Sequence, residues 1–192
     1  MIENMYDVKD KVAIVTGSSR GIGKQCALAF AEGGAKLVLN YVNNQEAAEI
    51  TAEEVSALGS EAIIIQADVK DFEACQTLGE QAIKKYGKVD FLVNNAGINI
   101  IKPLNEVSNK EYNRLMSVNL SAPFRIAQSL IPNMKKQNYG RIINISSISG
   151  QYGGPRTVHY AVSKAGLITL GHCLARFGAP YNITCNNIKH FR

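Results

Sequence analysis

Residues 11–23, KVAIVTGSSRGIG, pass from four consecutive apolar residues through a glycine-rich loop into a segment with helical patterning. A short apolar run bounded by turn residues predicts a strand buried on both faces. After it, Gly17 permits a tight turn, Gly21 lets backbone approach a bound pyrophosphate, and Gly23 allows close helix–strand packing. Residues 16–23 (TGSSRGIG), with Ser18, Ser19, Arg20 and Ile22 between the glycines, thus predict a phosphate loop. The N–H groups and positive dipole end of the next helix would face the anion. The structural alternative is a glycine-rich turn with no ligand, and the spacing is GxxxGxG rather than GxGxxG.

Strand and helix patterns alternate outward from this loop. They predict a helix over Gly21–Glu32 ended by Gly33 and Gly34, a strand over Lys36–Tyr41, and a helix over 44–58. A strand over 61–67, a helix over 71–86 closed by Gly87 and a strand over 89–94 follow. Ser108 and Glu111 form a capping box for a long helix that Pro123 and Pro132 are expected to bend. A strand over 141–146, a helix over 157–178 and a sixth strand that begins over 183–188 complete the pattern. The expectation is one α/β domain over residues 1–192: a three-layer, Rossmann-like, doubly wound parallel sheet of six strands. Such sheets bind ligands beyond the carboxyl ends of their strands, where each motif below falls.

Composition narrows the classes. With 192 residues, 46% hydrophobic and 19% charged, the chain can bury a core without disulfides or metals and is not a disordered or collagen-like polymer. No apolar stretch approaches the ~20 residues that span a bilayer. Residues 1–10 carry three acids and no apolar run, unlike a signal peptide. Cys26, Cys75, Cys173 and Cys185 are scattered without metal-ligand spacing, as expected of reduced thiols in a cytoplasmic protein. The expectation is a soluble domain with no membrane partner and no metal.

The net charge of +5 conceals a split: nine Lys and Arg against fourteen Asp and Glu in residues 1–96, twelve against two in residues 97–192. A basic half suits nucleic acid, a phosphorylated cofactor or an acidic substrate, or an acidic segment that normally follows. Arg125, Arg141, Arg156, Lys164 and Arg176 are dispersed and lack interleaved aromatics, which argues against nucleic acid.

The end of the second strand bears on which dinucleotide is preferred. An acid there would bind the adenosine ribose of NAD and repel the 2′-phosphate of NADP. The chain has Asn40, Tyr41 and Val42, with no acid until Glu46, and Arg20 can bring a guanidinium to that phosphate or stay a solvated loop charge. NADP is favoured, with NAD as the alternative. Asp68 could accept from the adenine amino group or cap the next turn.

Tyr160 and Lys164 stand one helical turn apart on one face. A phenol titrates near ~10 in water, and a fixed cation beside it favours the phenolate, the form a general base needs. The YxxxK pattern alone is weak, but Ser147 lies thirteen residues upstream, where its hydroxyl could reach a substrate oxygen. Asn119 lies within the long helix, either as a kink residue satisfied by backbone or as the holder of a relay water.

In its motifs the chain resembles the classical short-chain dehydrogenases/reductases, the branch that includes 3-oxoacyl-carrier-protein reductases. The matches are residues 16–23, Asp68 and Val69, residues 94–97 (NNAG), Asn119, Ser147, Tyr160 and Lys164, in family order over essentially the whole chain. The resemblance implies that Tyr160 is the general acid/base and that Ser147 orients a carbonyl or alcohol. Lys164 would bind the nicotinamide ribose and tune the tyrosine, while Asn119 holds a water. Asn95, Ala96 and Gly97 would line the cofactor. It further implies a small carbonyl or alcohol substrate, such as a 3-oxoacyl thioester, and a homodimer through the long helices.

Relatives continue past the sixth strand with a Pro-Gly turn, a lid and a seventh strand, whereas this chain ends in Lys189-His190-Phe191-Arg192. The expectation is therefore an absent seventh strand and an incomplete tetramer contact. The alternative to an active oxidoreductase is a shortened chain that binds dinucleotide without turnover. Arginines that contact an acidic carrier in relatives correspond to Asn138 and Tyr181, which weakens a carrier-protein substrate.

Overall fold

A computed structural model of the chain describes residues 8–190. The readings of residues 1–10 as no leader and of the tail at Phe191 and Arg192 lie partly or wholly outside these residues. Strands β1 (Val12–Val15), β2 (Lys36–Tyr41), β3 (Ala62–Gln66), β4 (Phe91–Asn94), β5 (Gly140–Ser147) and β6 (Ile183–His190) form one sheet. Its order is β3-β2-β1-β4-β5-β6, and every pairing is parallel. The strand order reverses between β1 and β4, and the crevice at such a switch point is where this architecture takes ligands.

The helices are α1 (Gly21–Glu32), α2 (Gln45–Ala57), α3 (Phe72–Tyr86), α4 (Asn109–Met116), α5 (Ala122–Lys136), α6 (Ser149–Tyr152) and α7 (Val158–Gly178). Successive strand residues point to opposite faces, and the core divides accordingly. Ala13, Val15, Leu37, Leu39 and Val93 pack with Ala27 and Ala31 of α1 and Val55 of α2. Val12, Ile14, Val38, Leu92 and Ile142 pack on the other face with Leu78 of α3 and Ile126 and Leu130 of α5. Burial on both faces is why the central strands read as unbroken apolar runs.

Three features go beyond what the sequence predicts. The long helix is interrupted by a π-helical turn at Ser117–Ser121, just before Pro123. Pro123 follows the π turn within continuous helical backbone, and Pro132 is accommodated inside α5. Strand β6 continues past Ile188 to His190, pairing with β5 along its whole length. A short helix, α6, follows β5 and packs against α7 so closely that a Cβ on Gly150 would lie 2.7 Å from the Lys164 carbonyl carbon.

Candidate active site

The glycine loop is fixed from below. Gly17 and Gly21 take left-handed φ values of 62° and 57°, which glycine adopts without strain. Thr16 Oγ1 accepts from the N–H groups of Asn95 and Ala96, both at 3.0 Å. Asn95 Nδ2 donates back to the carbonyls of Thr16 and Gly17, at 2.9 and 3.1 Å. A Cβ on Gly23 would lie 2.4 Å from both Asn95 Nδ2 and the Gly17 oxygen, so the close contact made by Gly23 is with the loop and the β4 end. Above Gly21 there is open space. Ser18 is buried, its N–H and Oγ both donating to the Asn40 carbonyl. Ser19 is half-buried, and Arg20 and Ile22 are exposed at the start of α1.

At the end of β2, the Asn40 side chain turns inward. Its Oδ1 accepts from Gly17 N–H at 3.2 Å and its Nδ2 donates to the Ala67 carbonyl at 2.9 Å. Asn40 therefore braces the loop against β3, and the neighbouring Tyr41 is buried as well. Asp68 caps its own turn, accepting from Lys70 N–H at 3.2 Å and pairing with the Lys70 ammonium. Val69 is a core residue. The Arg20 guanidinium has no hydrogen-bond partner among the described residues.

Beyond the ends of β4 and β5 lies a cavity of about 450 Å³. Ile22 and Asn95 line one side, Gly97, Ser147, Tyr160 and Lys164 the centre, and His190 the far side. Lys164 is 4% exposed; its Nζ donates to the Ile145 carbonyl at 2.7 Å and stands 5.7 Å from the Tyr160 ring centroid. Burial pushes its ammonium down to about 8, because low-dielectric surroundings disfavour the charged form. Ser147 is the last residue of β5, and its Oγ accepts from Ser149 N–H at 3.1 Å.

Asn119 sits fully buried in the π turn. Its Oδ1 accepts from Ile98 N–H at 2.8 Å, and its Nδ2 donates to the Ile98 carbonyl at 2.9 Å and to Ser163 Oγ at 3.1 Å. Ser163 Oγ in turn donates to the Tyr160 carbonyl at 2.7 Å. Asn119 thus ties the turn after β4 to the first turn of α7. A Cβ on Gly97 would sit 3.5 Å from both Asn119 Oδ1 and Lys164 Nζ, so these three residues converge.

The fold accordingly brings Ser147, Tyr160, Lys164 and the β4-end residues Asn95 and Gly97 to one cavity, with the glycine loop at its edge. Asp68 and Val69 lie at the β3 end, three strands from β4. Sequence reasoning missed Ser163 and His190. The first was legible as a hydroxyl inside the YxxxK motif; the second emerges only from the pairing of β6 with β5.

Comparison with known proteins agrees with this fold. The family model for short chain dehydrogenase matches residues 11–190. The chain is 42% identical over 186 residues to peroxisomal multifunctional enzyme type 2 of Drosophila melanogaster, covering 93% of this chain and 31% of that protein, so it spans less than a third of that relative. It is 38% identical over 178 residues to 3-oxoacyl-[acyl-carrier-protein] reductase of Staphylococcus aureus, covering 93% of this chain and 72% of that one. The solved structure of NAD+-bound xylitol dehydrogenase superposes with a TM-score of 0.91 at 34% identity, over 96% of this chain and 71% of that chain.

Proposed function

Because the chain belongs to the short chain dehydrogenase family, we propose that it is an oxidoreductase interconverting a carbonyl and an alcohol at the cavity of Ser147, Tyr160 and Lys164. The observation that carries this reading is the convergence of those three side chains, with Asn95 and Ile22 of the glycine-loop side, on one cavity. A nicotinamide dinucleotide fits the loop: Gly21 holds its backbone against open space at the N-terminus of α1, where an anion is favoured. Bound there, the cofactor supplies or accepts the hydride.

The chain's own residues handle the oxygen. As charge develops on the carbonyl oxygen, Ser147 Oγ donates a hydrogen bond and Tyr160 donates its phenolic proton. In the reverse direction Tyr160 takes the alcohol proton. The Lys164 ammonium, held by the Ile145 carbonyl, favours the phenolate left behind. Asn119 keeps the first turn of α7 in place through Ser163.

NADP is the cofactor this reading prefers, because residues 40–45 contain no acid and Arg20 is free to pair with a 2′-phosphate. The substrate is a small ketone or a 3-oxoacyl thioester. Two copies would pair through α5 and α7, whose outer faces expose Phe124, Val162 and Phe177. The test is NADPH oxidation with a panel of ketones: Tyr160→Phe should abolish turnover, and equal rates for both proteins would overturn the assignment. No helix of the described residues is long and apolar enough to cross a membrane.

A further inference from the structure

We infer that His190 is a specificity-determining residue whose imidazole takes a substrate carboxylate, so that the ketone or alcohol handled at Tyr160 is a short oxo-acid or hydroxy-acid. This rests on the oxidoreductase reading and narrows it to a substrate class.

The placement follows from register. Strand β6 pairs with β5 up to Ser147↔His190, and the His190 carbonyl accepts from Ile148 N–H at 3.2 Å. Side chains two residues apart on a strand share a face. Ile145 and its partner Ile188 line one apolar groove on the α1 side of the sheet, so Ser147 and His190, one alternation further on, project to that same side. Neighbouring strands lie ~4.8 Å apart, which sets His190 directly beside Ser147. Both line the cavity that holds Tyr160 and Lys164.

The chemistry follows from what surrounds it. The imidazole has no hydrogen-bond partner among the described residues. The cavity lining includes no Asp or Glu, and the sequence has no acid after Glu111, so β5, α6, α7 and β6 offer no carboxylate. Adjacent Lys189 turns elsewhere, its Nζ donating to Gln151 Oε1 at 3.0 Å. Three strand spacings, roughly 14 Å, separate β6 from β1, so a pyrophosphate at the glycine loop lies far from this imidazole. The group that meets His190 is therefore at the reacting end, one strand beyond the hydroxyl that orients the carbonyl. A carboxylate there would accept from the imidazole N–H in a charge-assisted bond, whereas a thioester carbonyl would make only the weaker neutral one.

Two measurements on the full chain test this. The chain has three histidines, so His190→Gln assigns the His190 imidazole signal by difference. With oxidised cofactor present, butanoate should move that signal saturably while butanamide leaves it in place; no movement, or equal movement with both, overturns the inference. In turnover, wild type should prefer a short 3-oxo acid over its methyl ester by about tenfold in kcat/KM, the scale of one charge-assisted contact, and His190→Gln should bring the ratio near one. An unchanged ratio, or a wild-type preference for the ester or for a 3-oxoacyl thioester, overturns it. A signal shift with no turnover on any ketone would instead refute the oxidoreductase reading and leave the carboxylate site standing.

Discussion

Lys164 is anchored to the Ile145 carbonyl at 2.7 Å while its ammonium stands 5.7 Å from the centre of the Tyr160 ring. The cation is therefore held by the sheet as well as by the helix it shares with Tyr160. That arrangement is costly, because the ammonium is buried.

The cost can be measured through pH. Lys164 ordinarily titrates at 10.5 and in the fold at about 8, so between these values the unfolded chain binds more protons. Its contribution to stability therefore rises with pH across that window, and the penalty is complete below about 8. At neutral pH the penalty is on the order of 3 kcal/mol, from ~1.4 kcal/mol per pH unit. Lys164→Met should raise unfolding free energy at pH 7 by about 1–3 kcal/mol, the lost bond to Ile145 offsetting part of the gain. It should also flatten the rise between pH 8 and 10 seen in urea melts of wild type, and lower turnover by roughly 10²-fold or more.

Gly23→Ala isolates the loop. Its Cβ would lie 2.4 Å from the Gly17 carbonyl oxygen and from Asn95 Nδ2, both parts of a braced network with nowhere to move. The sheet does not depend on this contact. Dinucleotide affinity measured by nicotinamide fluorescence should fall by about 10²-fold, equivalent to about 3 kcal/mol of overpacking strain. Far-ultraviolet circular dichroism should stay as in wild type.

Asn119→Ala strips partners from Ile98 N–H, the Ile98 carbonyl and Ser163 at once. Leaving buried groups unpaired costs about 1–3 kcal/mol each, so a loss of roughly 3 kcal/mol in urea unfolding is expected. Because Ser163 holds the Tyr160 carbonyl, kcat should fall more than KM rises. An unchanged kcat in folded protein would mean that Asn119 only braces the fold.

The double burial of the sheet made its strands legible, since Val12–Val15 and Phe91, Leu92 and Val93 had to be apolar on both faces. The Tyr160/Lys164 pair was legible because helical spacing fixes it locally. The π turn was not: its register is set by contacts of Asn119 with Ile98 and Ser163, twenty-one and forty-four residues away. Asn40 occupies the predicted position at the end of β2, but the Ala67 carbonyl and Gly17 N–H decide which way its amide points. His190 carried no motif, and only the pairing of β6 with β5 sets it beside Ser147.

On the NADP reading proposed above, cofactor choice would rest on Arg20. Asn40 is consumed in bracing the loop, so no side chain of the β2 end competes for a 2′-phosphate, and no acid stands there to repel one. Arg20 itself is exposed at the N-cap of α1 and unpaired among the described residues, so ordering it on a phosphate breaks no existing contact. A charge-assisted bond of this kind contributes about 1.5–3 kcal/mol. Arg20→Ala should therefore raise KM for NADPH by roughly 10-fold or more while KM for NADH moves less than about twofold. Parallel initial-rate series with the two cofactors check this, and equal losses for both would remove Arg20 from the discrimination.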